Sequence, residues 1–397
     1  MGSTETPNQD SLSRILEAHV NGESPALHNA CFSVAGKDGE YNYLVQKIAN
    51  SKKLIKIRAA GVLYSAAYGS RDLARSQPVT TDSVFWIASL TKLSTAIASL
   101  TAVEKGLITL DQNVREIVPE LAQLEVLEGF DEDGTPRLRN CTSPITLRQL
   151  LSHSSGFVYD KQHEGLQRWA AYVGKTEHTF TGSYVEVVAK QNLEAFMKAN
   201  IWDPLGMDST TFQPWTRPDL EARLVELAFR TPTGTVVKGK SPYAYPALDC
   251  CGGVGLYSTP ADQTKLLSAL VNGGSSIMSA ASMKELLGPQ TSDPSHFLAV
   301  VCGTNRAHLG QTWPEGAVGD FGLSSSINAD DFPGRRAAKS ANWQGMPGVH
   351  AWLDPKTGLA GLFVTQLLPP GDKVVTKCFG DLERVVYQLY GSSTRRE

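Results

Sequence analysis

The sequence predicts an α/β protein: a sheet domain completed by both chain ends, with a mainly helical domain inserted in the middle. Two observations lead to it. Short strand-like runs lie near both ends of the chain, and the stretch between about 110 and 290 carries helical periodicity broken by turns. At 397 residues, 41% hydrophobic and 19% charged, the chain can bury a core of that size, which excludes a disordered or fibrous protein. The expected division is 1–85 for the N-terminal part of the sheet domain, 86–295 for the mainly helical part, and 296–397 for the strands and helix that complete the sheet domain.

Taken in order, Ser11 to Val20 reads as a capped amphipathic helix with Leu12, Ile15, Leu16 and His19 on one face. Strands follow at Ala30 to Ala35 and at Gly61 to Tyr68, the second closing in the turn Gly69-Ser70-Arg71-Asp72. Between them Tyr41 to Ala60 fits neither helical nor strand alternation and reads as a surface insertion into a hairpin. Ser89 to Lys105 is a helix with Leu93, Ile97, Leu100 and Val103 apolar and Gly106 as its stop. Further helices are expected at Ile145 to Leu151, Asn192 to Ile201 and Pro260 to Val271. Strands return at Gly348 to Leu353 and Leu359 to Leu367, and a last helix spans about Asp381 to Tyr390.

Composition narrows the partners. A net charge of -3 gives no footing for nucleic acid or an anionic membrane surface. The N-terminal stretch is acidic and polar rather than a secretory signal, and no run approaches the roughly 18 apolar residues of a membrane span. A cytoplasmic location without a membrane partner is therefore expected. Met1-Gly2-Ser3-Thr4-Glu5-Thr6 fits a loose lipidation pattern, but no basic patch or second anchor supports it. Six scattered cysteines without a C-x-x-C pair argue against disulfides and zinc, with Cys250 and Cys251 as small apolar fillers beside a glycine turn. The histidines show no ligand spacing, so neither a metal nor a cofactor is expected.

The stretch Phe85 to Lys92, "FWIASLTK", places Ser89 three residues ahead of Lys92 at the start of the helix. A serine needs a nearby base to become a nucleophile, and positions i and i+3 share a helix face. A helix N-terminus also offers backbone N–H groups to a developing oxyanion. By itself S-x-x-K arises by chance about once in a chain of this length. Its company is more specific: "PVTTDSVFWIASLTKLSTAIA", "VEKGLITLDQNV", "ITLRQLLSHSSGF", "NIWDPLGMDSTTF", "CGGVGLYSTPAD" and "NWQGMPGVHAWLDPKTGLAGLFVTQLLP" follow in this order from about 77 to 370. In that order they resemble the serine β-lactamase and penicillin-recognising superfamily, and within it the family VIII carboxylesterases and the lovastatin-type acyltransferases. "VLEGFD" and "TQLLPP" resemble the acyltransferases in particular.

The resemblance implies a serine β-lactamase-like fold, an antiparallel sheet flanked by helices, and a set of roles. Ser89 would be the nucleophile and Lys92 its amine, with the Ser89 and Met346 amides as oxyanion donors. Trp343 and Gly345 would stand on the strand beside the nucleophile, in place of the lactamase K-T-G. Trp86 would face the acyl or acceptor pocket, and Tyr243 would meet the acceptor. One of His350 and Trp352 would line the cleft. The literal Lys356-Thr357-Gly358 is read as a turn, and Ser326-Ile327-Asn328 and Tyr41-Asn42-Tyr43 as surface chemistry.

One part is missing. The family carries a general-base tyrosine in W-x-Y or Y-x-N between the positions of Phe157 and Asn192, and this chain is roughly two dozen residues short there. Tyr159, Tyr172 and Tyr184 are the nearest phenols, and none matches the motif. An altered splice pattern would account for both this gap and the insertion at Tyr41 to Ala60. Three functions are in competition. The first is an acyltransferase carrying an acyl group from a carrier-protein or CoA thioester, by way of Ser89, to a hydroxyl of a polyketide-type small molecule. The others are a carboxylesterase and a binding protein impaired in catalysis.

Overall fold

The computed structural model describes residues 8–22, 25–37, 44–47, 54–57, 61–159, 163–174, 189–291, 293–304 and 306–391. Helix α1 (Gln9–Val20) starts with a reciprocal cap, in which the Asn8 side chain accepts from the Ser11 amide and the Ser11 hydroxyl accepts from the Asn8 amide. Strands β1 (Asn29–Gly36) and β2 (Val62–Gly69) follow, then helix α2 (Thr91–Glu104). After a region of short elements come helices α3 (Pro260–Val271) and α4 (Ala280–Leu287). Strands β3 (Gly319–Gly322), β4 (Ser325–Asn328), β5 (Ala341–Gly345), β6 (Val349–Asp354) and β7 (Leu359–Val364) precede the last helix, α5 (Lys373–Tyr390).

Seven strands form one sheet in the order β3-β4-β5-β6-β7-β1-β2, and every neighbouring pair is antiparallel. β1 pairs with β7 from Cys31↔Val364 to Gly36↔Leu359, so the two ends of the chain close the sheet together. Alternation along the strands divides the side chains between two faces. Phe32, Val34, Trp352 and Phe363 meet Leu12 and Leu16 of α1 and Phe379 and Leu382 of α5. Cys31, Ala351, Leu353, Leu362 and Val364 share the opposite core with Ile97 and Leu100 of α2 and Leu266 and Leu270 of α3. The nucleophile helix therefore lies beneath one face of the sheet, and both terminal helices cover the other.

Three local expectations need correction. α5 begins at Lys373, not near Asp381, because the Asp372 carboxylate caps the Val374 and Val375 amides. Ser326-Ile327-Asn328 is not surface chemistry but a buried strand paired with its neighbours on both sides. Within Tyr41 to Ala60, Leu44–Lys47 and Leu54–Ile57 pair as an antiparallel ribbon, and the other residues of that stretch, Tyr41-Asn42-Tyr43 included, lie outside the described residues. Lys356-Thr357-Gly358 is the β6–β7 turn, closed by Asp354 Oδ1 accepting from the Lys356 and Thr357 amides.

Candidate active site

Ser89 stands on a single 3₁₀ turn (Ala88–Leu90) that runs directly into α2. Ala88 before it has φ +45, a left-handed conformation that side-chain-bearing residues rarely hold unless their surroundings impose it. Here several bonds do so. Ile87 N–H donates to the Leu256 carbonyl, Gln366 Nε2 donates to the Trp86 carbonyl, and the buried Thr91 hydroxyl donates to Ala88 O while accepting from the Leu256 amide. The strained turn thus sits inside a frame built from distant parts of the chain.

Lys92, one turn on, donates from Nζ to Ser89 Oγ at 3.0 Å and to the Gly253 carbonyl at 2.7 Å. Gly253 belongs to a loop whose three successive carbonyls all hold side chains of the nucleophile region. Gly252 O accepts from Thr95 Oγ1 at 2.6 Å, Gly253 O from Lys92, and Val254 O from Trp86 Nε1 at 2.7 Å. Glycine suits the close approach of this backbone: a Cβ on Gly252 would lie 3.0 Å from Thr95 Oγ1, and one on Gly255 2.9 Å from both the Cys251 carbonyl oxygen and Tyr243 Oη, where something would have to shift. Cys250 and Cys251 flank the loop as buried thiols, with Cys250 Sγ hydrogen-bonded to the Asn192 side chain.

The structure brings most of the expected residues together. Trp86 and Tyr243 stack with their rings 6° from parallel and their centroids 6.4 Å apart. Burial pushes the Tyr243 phenol up to about 12, so it stays protonated near neutral pH. β5 passes against the nucleophile turn: a Cβ on Gly345 would fall 2.2 Å from the Ile87 carbonyl oxygen. Trp343 lies on the α2 side of that strand, and Met346 opens the turn after it with its side chain partly exposed.

His350 and Trp352 are placed elsewhere. Two residues apart on β6, they share one face, and it is the face away from Ser89. The His350 ring stacks on Phe379 of α5, and Trp352 packs on Phe32 and donates to the Tyr387 hydroxyl. Both are buried beneath the terminal helices, so the expectation that one lines the cleft is corrected.

His153 is a neighbour that sequence reasoning missed. It ends the helix Leu147–Leu151 at φ +55, stacks on Trp343 with ring centroids 5.0 Å apart, and has Nε2 buried without a partner among the described residues. Burial, with the charges of Lys92 and His296 added, lowers its imidazole to about 3 and keeps it neutral. The motif "LLSHSSGF" was the available signal.

No phenol is hydrogen-bonded to Ser89 or Lys92 among the described residues, where the partners of Lys92 are Ser89 Oγ and Gly253 O. Tyr159 and Tyr172 are exposed, and Tyr184 lies outside the described residues. Among the described residues no cluster could hold a metal ion, and no helix is long and apolar enough to cross a membrane. The arrangement can activate a serine hydroxyl and hold an acyl group on it.

Known proteins resemble this chain over most of its length. The family described as Beta-lactamase matches residues 54–377. A lovastatin esterase of Penicillium rubens is 31% identical over 78% of this chain and 86% of its own length. A monacolin J acid methylbutanoyltransferase of Aspergillus terreus is 27% identical over 82% of this chain and 88% of its own. Among solved structures, a mutant of simvastatin synthase (LovD) from Aspergillus terreus superposes with a TM-score of 0.81 at 26% identity, covering 96% of this chain and 95% of that one.

Proposed function

This chain belongs to the Beta-lactamase family, and on that premise we propose that it is a serine acyltransferase moving an acyl group from a thioester to a hydroxyl of a polyketide-type small molecule. The observation that carries the reading is the contact of Lys92 with Ser89 inside the carbonyl frame of Gly252 to Val254. In its amine form Lys92 keeps one N–H on Gly253 O and turns its lone pair to the Ser89 hydroxyl. It takes that proton as Ser89 Oγ attacks the thioester carbonyl. The oxyanion is held by the Ser89 and Met346 amides. Collapse expels the thiolate, which receives the proton from Lys92, and leaves an acyl-enzyme. The acceptor hydroxyl then attacks the acyl carbonyl, again giving its proton to Lys92; the bond from the acyl carbon to Ser89 Oγ breaks, Lys92 returns the proton to Oγ, and the ester leaves.

The Trp86–Tyr243 stack forms the acceptor side of the cleft in this reading, with the Tyr243 hydroxyl as a hydrogen-bonding group rather than a base. The donor is an acyl carrier protein or coenzyme A thioester. A second reading, a carboxylesterase passing the same acyl-enzyme to water, is favoured by the likeness to the lovastatin esterase. The two differ in whether the cleft excludes water from the acyl-enzyme.

The test is intact-mass detection of an adduct after incubation with acyl thioesters or p-nitrophenyl butyrate, with Ser89→Ala as control. An adduct on the parent chain alone supports the reading, and no adduct from any donor overturns it. Discharge only on addition of an alcohol identifies the transferase, and discharge in water alone the esterase.

A further inference from the structure

Between α2, α3, α4 and the sheet the packing leaves a cavity of about 30 Å³, room for two waters at the roughly 10–15 Å³ that each needs. Leucines form its helical side, among them Leu90, Leu93, Leu267 and Leu286, while Ser324, Ser325, Asn342 and Trp343 stand on the strand side. Ser326 pairs with Asn342 across β4 and β5, so one step along each strand brings Ser325 and Trp343 together on the opposite face. That face is the one toward α2, since Trp343 shares its core with Ile97 and Leu266. Trp343 is 9% and Ser325 6% exposed, and Trp343 Nε1 and Ser325 Oγ have no hydrogen-bond partner among the described residues. Asn342 Oδ1 is unpaired too, but Asn342 lies opposite Trp352 on the α5 side of the sheet, so its side chain is directed away. A buried indole N–H and a buried hydroxyl normally find partners, and the leucines can satisfy neither. A donor and a hydroxyl sharing one space of this size are the setting in which protein interiors hold ordered water.

We propose that this cavity is a water site, in which bound water accepts from Trp343 Nε1 and donates to Ser325 Oγ, and that Ser325 is through it a positioning residue for the reaction. The second half of the inference rests on the acyl-enzyme reading above. His153 stacks on one face of the Trp343 ring at 5.0 Å, and a stack alone leaves the ring free to slide and turn in its own plane. A bond from the indole N–H to water fixes that remaining freedom. Trp343 stands two residues before Gly345, where a Cβ would fall 2.2 Å from the Ile87 carbonyl oxygen, so β5 carries the placement of Trp343 to the turn that bears Ser89. Leu90 and Leu93 of the opposite wall follow Ser89 on that turn and helix, so the filled cavity also sets the spacing of helix and strand. Small displacements there matter, because about 1 Å of misplacement can cost about 10²-fold in rate.

The test has two arms. In the first, crystals of the parent chain are solved with and without xenon pressure. Water within hydrogen-bond reach of both Trp343 Nε1 and Ser325 Oγ, with no xenon in the cavity, is the expected result, and a cavity that lacks this water or takes up xenon overturns the site. The second arm reads the rate of Ser89 adduct formation by intact mass over a range of p-nitrophenyl butyrate concentrations in Ser325→Thr and Ser325→Val. These two side chains match in shape and differ in the hydroxyl, so packing effects common to both cancel. Ser325→Thr is expected to keep the parental rate, and Ser325→Val to lose several-fold in maximal acylation rate with the half-saturating ester concentration unchanged. Ser325→Ala, which adds no bulk, should show the same loss and keeps the test decisive if a branched side chain folds poorly. Equal rates in the Thr and Val variants, or a parental rate in Ser325→Ala, overturn the positioning role. A hydrated cavity in a parent chain that forms no adduct overturns the acyl-enzyme reading and the positioning role with it, and leaves the water site standing.

Discussion

Gly345 lies against the carbonyl oxygen of Ile87 so closely that a Cβ there would be 2.2 Å from it. Strand β5 therefore meets the nucleophile turn backbone to backbone, and the separation of Met346 from Ser89 is set by that contact. Gly345→Ala must push the strand or the turn away. A displacement near 1 Å can cost about 10²-fold in rate, so acylation of Ser89 should fall by about that factor in protein that still folds. Parental acylation in a folded Gly345→Ala chain would show that the strand does not position the reaction.

Lys92 has two duties that one substitution separates. Lys92→Met removes the group facing Ser89 and should slow acylation by about 10²- to 10⁴-fold, the range of a positioned general base. It also leaves the Gly253 carbonyl without its 2.7 Å partner. Gly253 is half-buried, so its carbonyl left unpaired costs at most about 1–3 kcal/mol, and the urea midpoint should fall modestly. Loss of rate with unchanged stability would mean that water replaces Nζ on the carbonyl.

Tyr243 is a test of what stands in for the family's tyrosine. Burial pushes its phenol up to about 12, and it would have to be ionised to serve as a base at neutral pH. Tyr243→Phe should therefore reduce acylation by well under the roughly 10²-fold of a lost base, while raising the apparent KM for the hydroxyl acceptor by removing the hydroxyl that would hydrogen-bond it, the ring stack with Trp86 being kept. Collapse of the acylation step would make Tyr243 the missing base after all.

Much of this site was legible because local rules and the fold agree. Short strand-like runs put β1, β2, β6 and β7 in place, and Pro260–Val271 has the bounds that its Thr259 cap and following turn suggest. Ser89 and Lys92 were visible because the motifs around them follow a family's order, and an i, i+3 pair on a helix lets the two side chains meet. The three carbonyls of Gly252 to Val254 were not, since a backbone acceptor leaves no letter in the sequence beyond the paired glycines that let it approach. His350 and Trp352 failed for another reason. Two residues apart on a strand they must share a face, and which face meets Ser89 is decided by packing against α5, a long-range fact. α5 itself was read short because Gly380 in its middle weakens a helix, and packing of Phe379 and Leu382 offsets that weakness.

Two buried histidines, His28 and His350, and the half-buried His153 make stability depend on pH. Burial lowers His28 to about 4, and His153 and His350 to about 3, with the charge of Lys92 adding at His153 and that of Arg336 at His350. Each pKa is depressed on folding, so below the unfolded value of about 6.5 the unfolded chain binds more protons. Stability is unaffected by them above that pH and is lost as pH falls from about 6.5 toward 4 and 3, at up to about 1.4 kcal/mol per pH unit for each histidine. Melting temperature should drop steadily from pH 6.5 to pH 4.5, before the carboxylates contribute. His350→Phe, which keeps an aromatic ring against Phe379, should flatten that slope. A melting temperature level across the interval would mean that these rings are protonated in the native protein.

The last relationship lies far from Ser89 and concerns how α5 is held. Glu383 is fully buried and accepts from Arg336 Nη1 at 3.0 Å and from Arg335 Nε at 2.7 Å, and Arg336 is itself fully buried. Beside them Asp354 Oδ2 accepts from the Ala337 amide and from the Tyr387 hydroxyl, so the loop after β4, the end of β6 and α5 are tied by one charged cluster. Removing one member of a buried pair costs more than the pair contributes, because the partner is left charged in a medium that solvates it poorly. Glu383→Ala strands two guanidinium groups and should cost about 3–5 kcal/mol of unfolding free energy. Arg336→Met added to it removes the fully buried cation, and since Arg335 can turn outward the double variant should recover part of the loss. Acylation of Ser89 per folded molecule should stay at the parental rate in both, because the cluster touches neither Ser89 nor Lys92. A double variant less stable than Glu383→Ala would show that Arg336 holds the loop through Phe332, over whose ring its guanidinium lies at 5.0 Å, more than through the carboxylate.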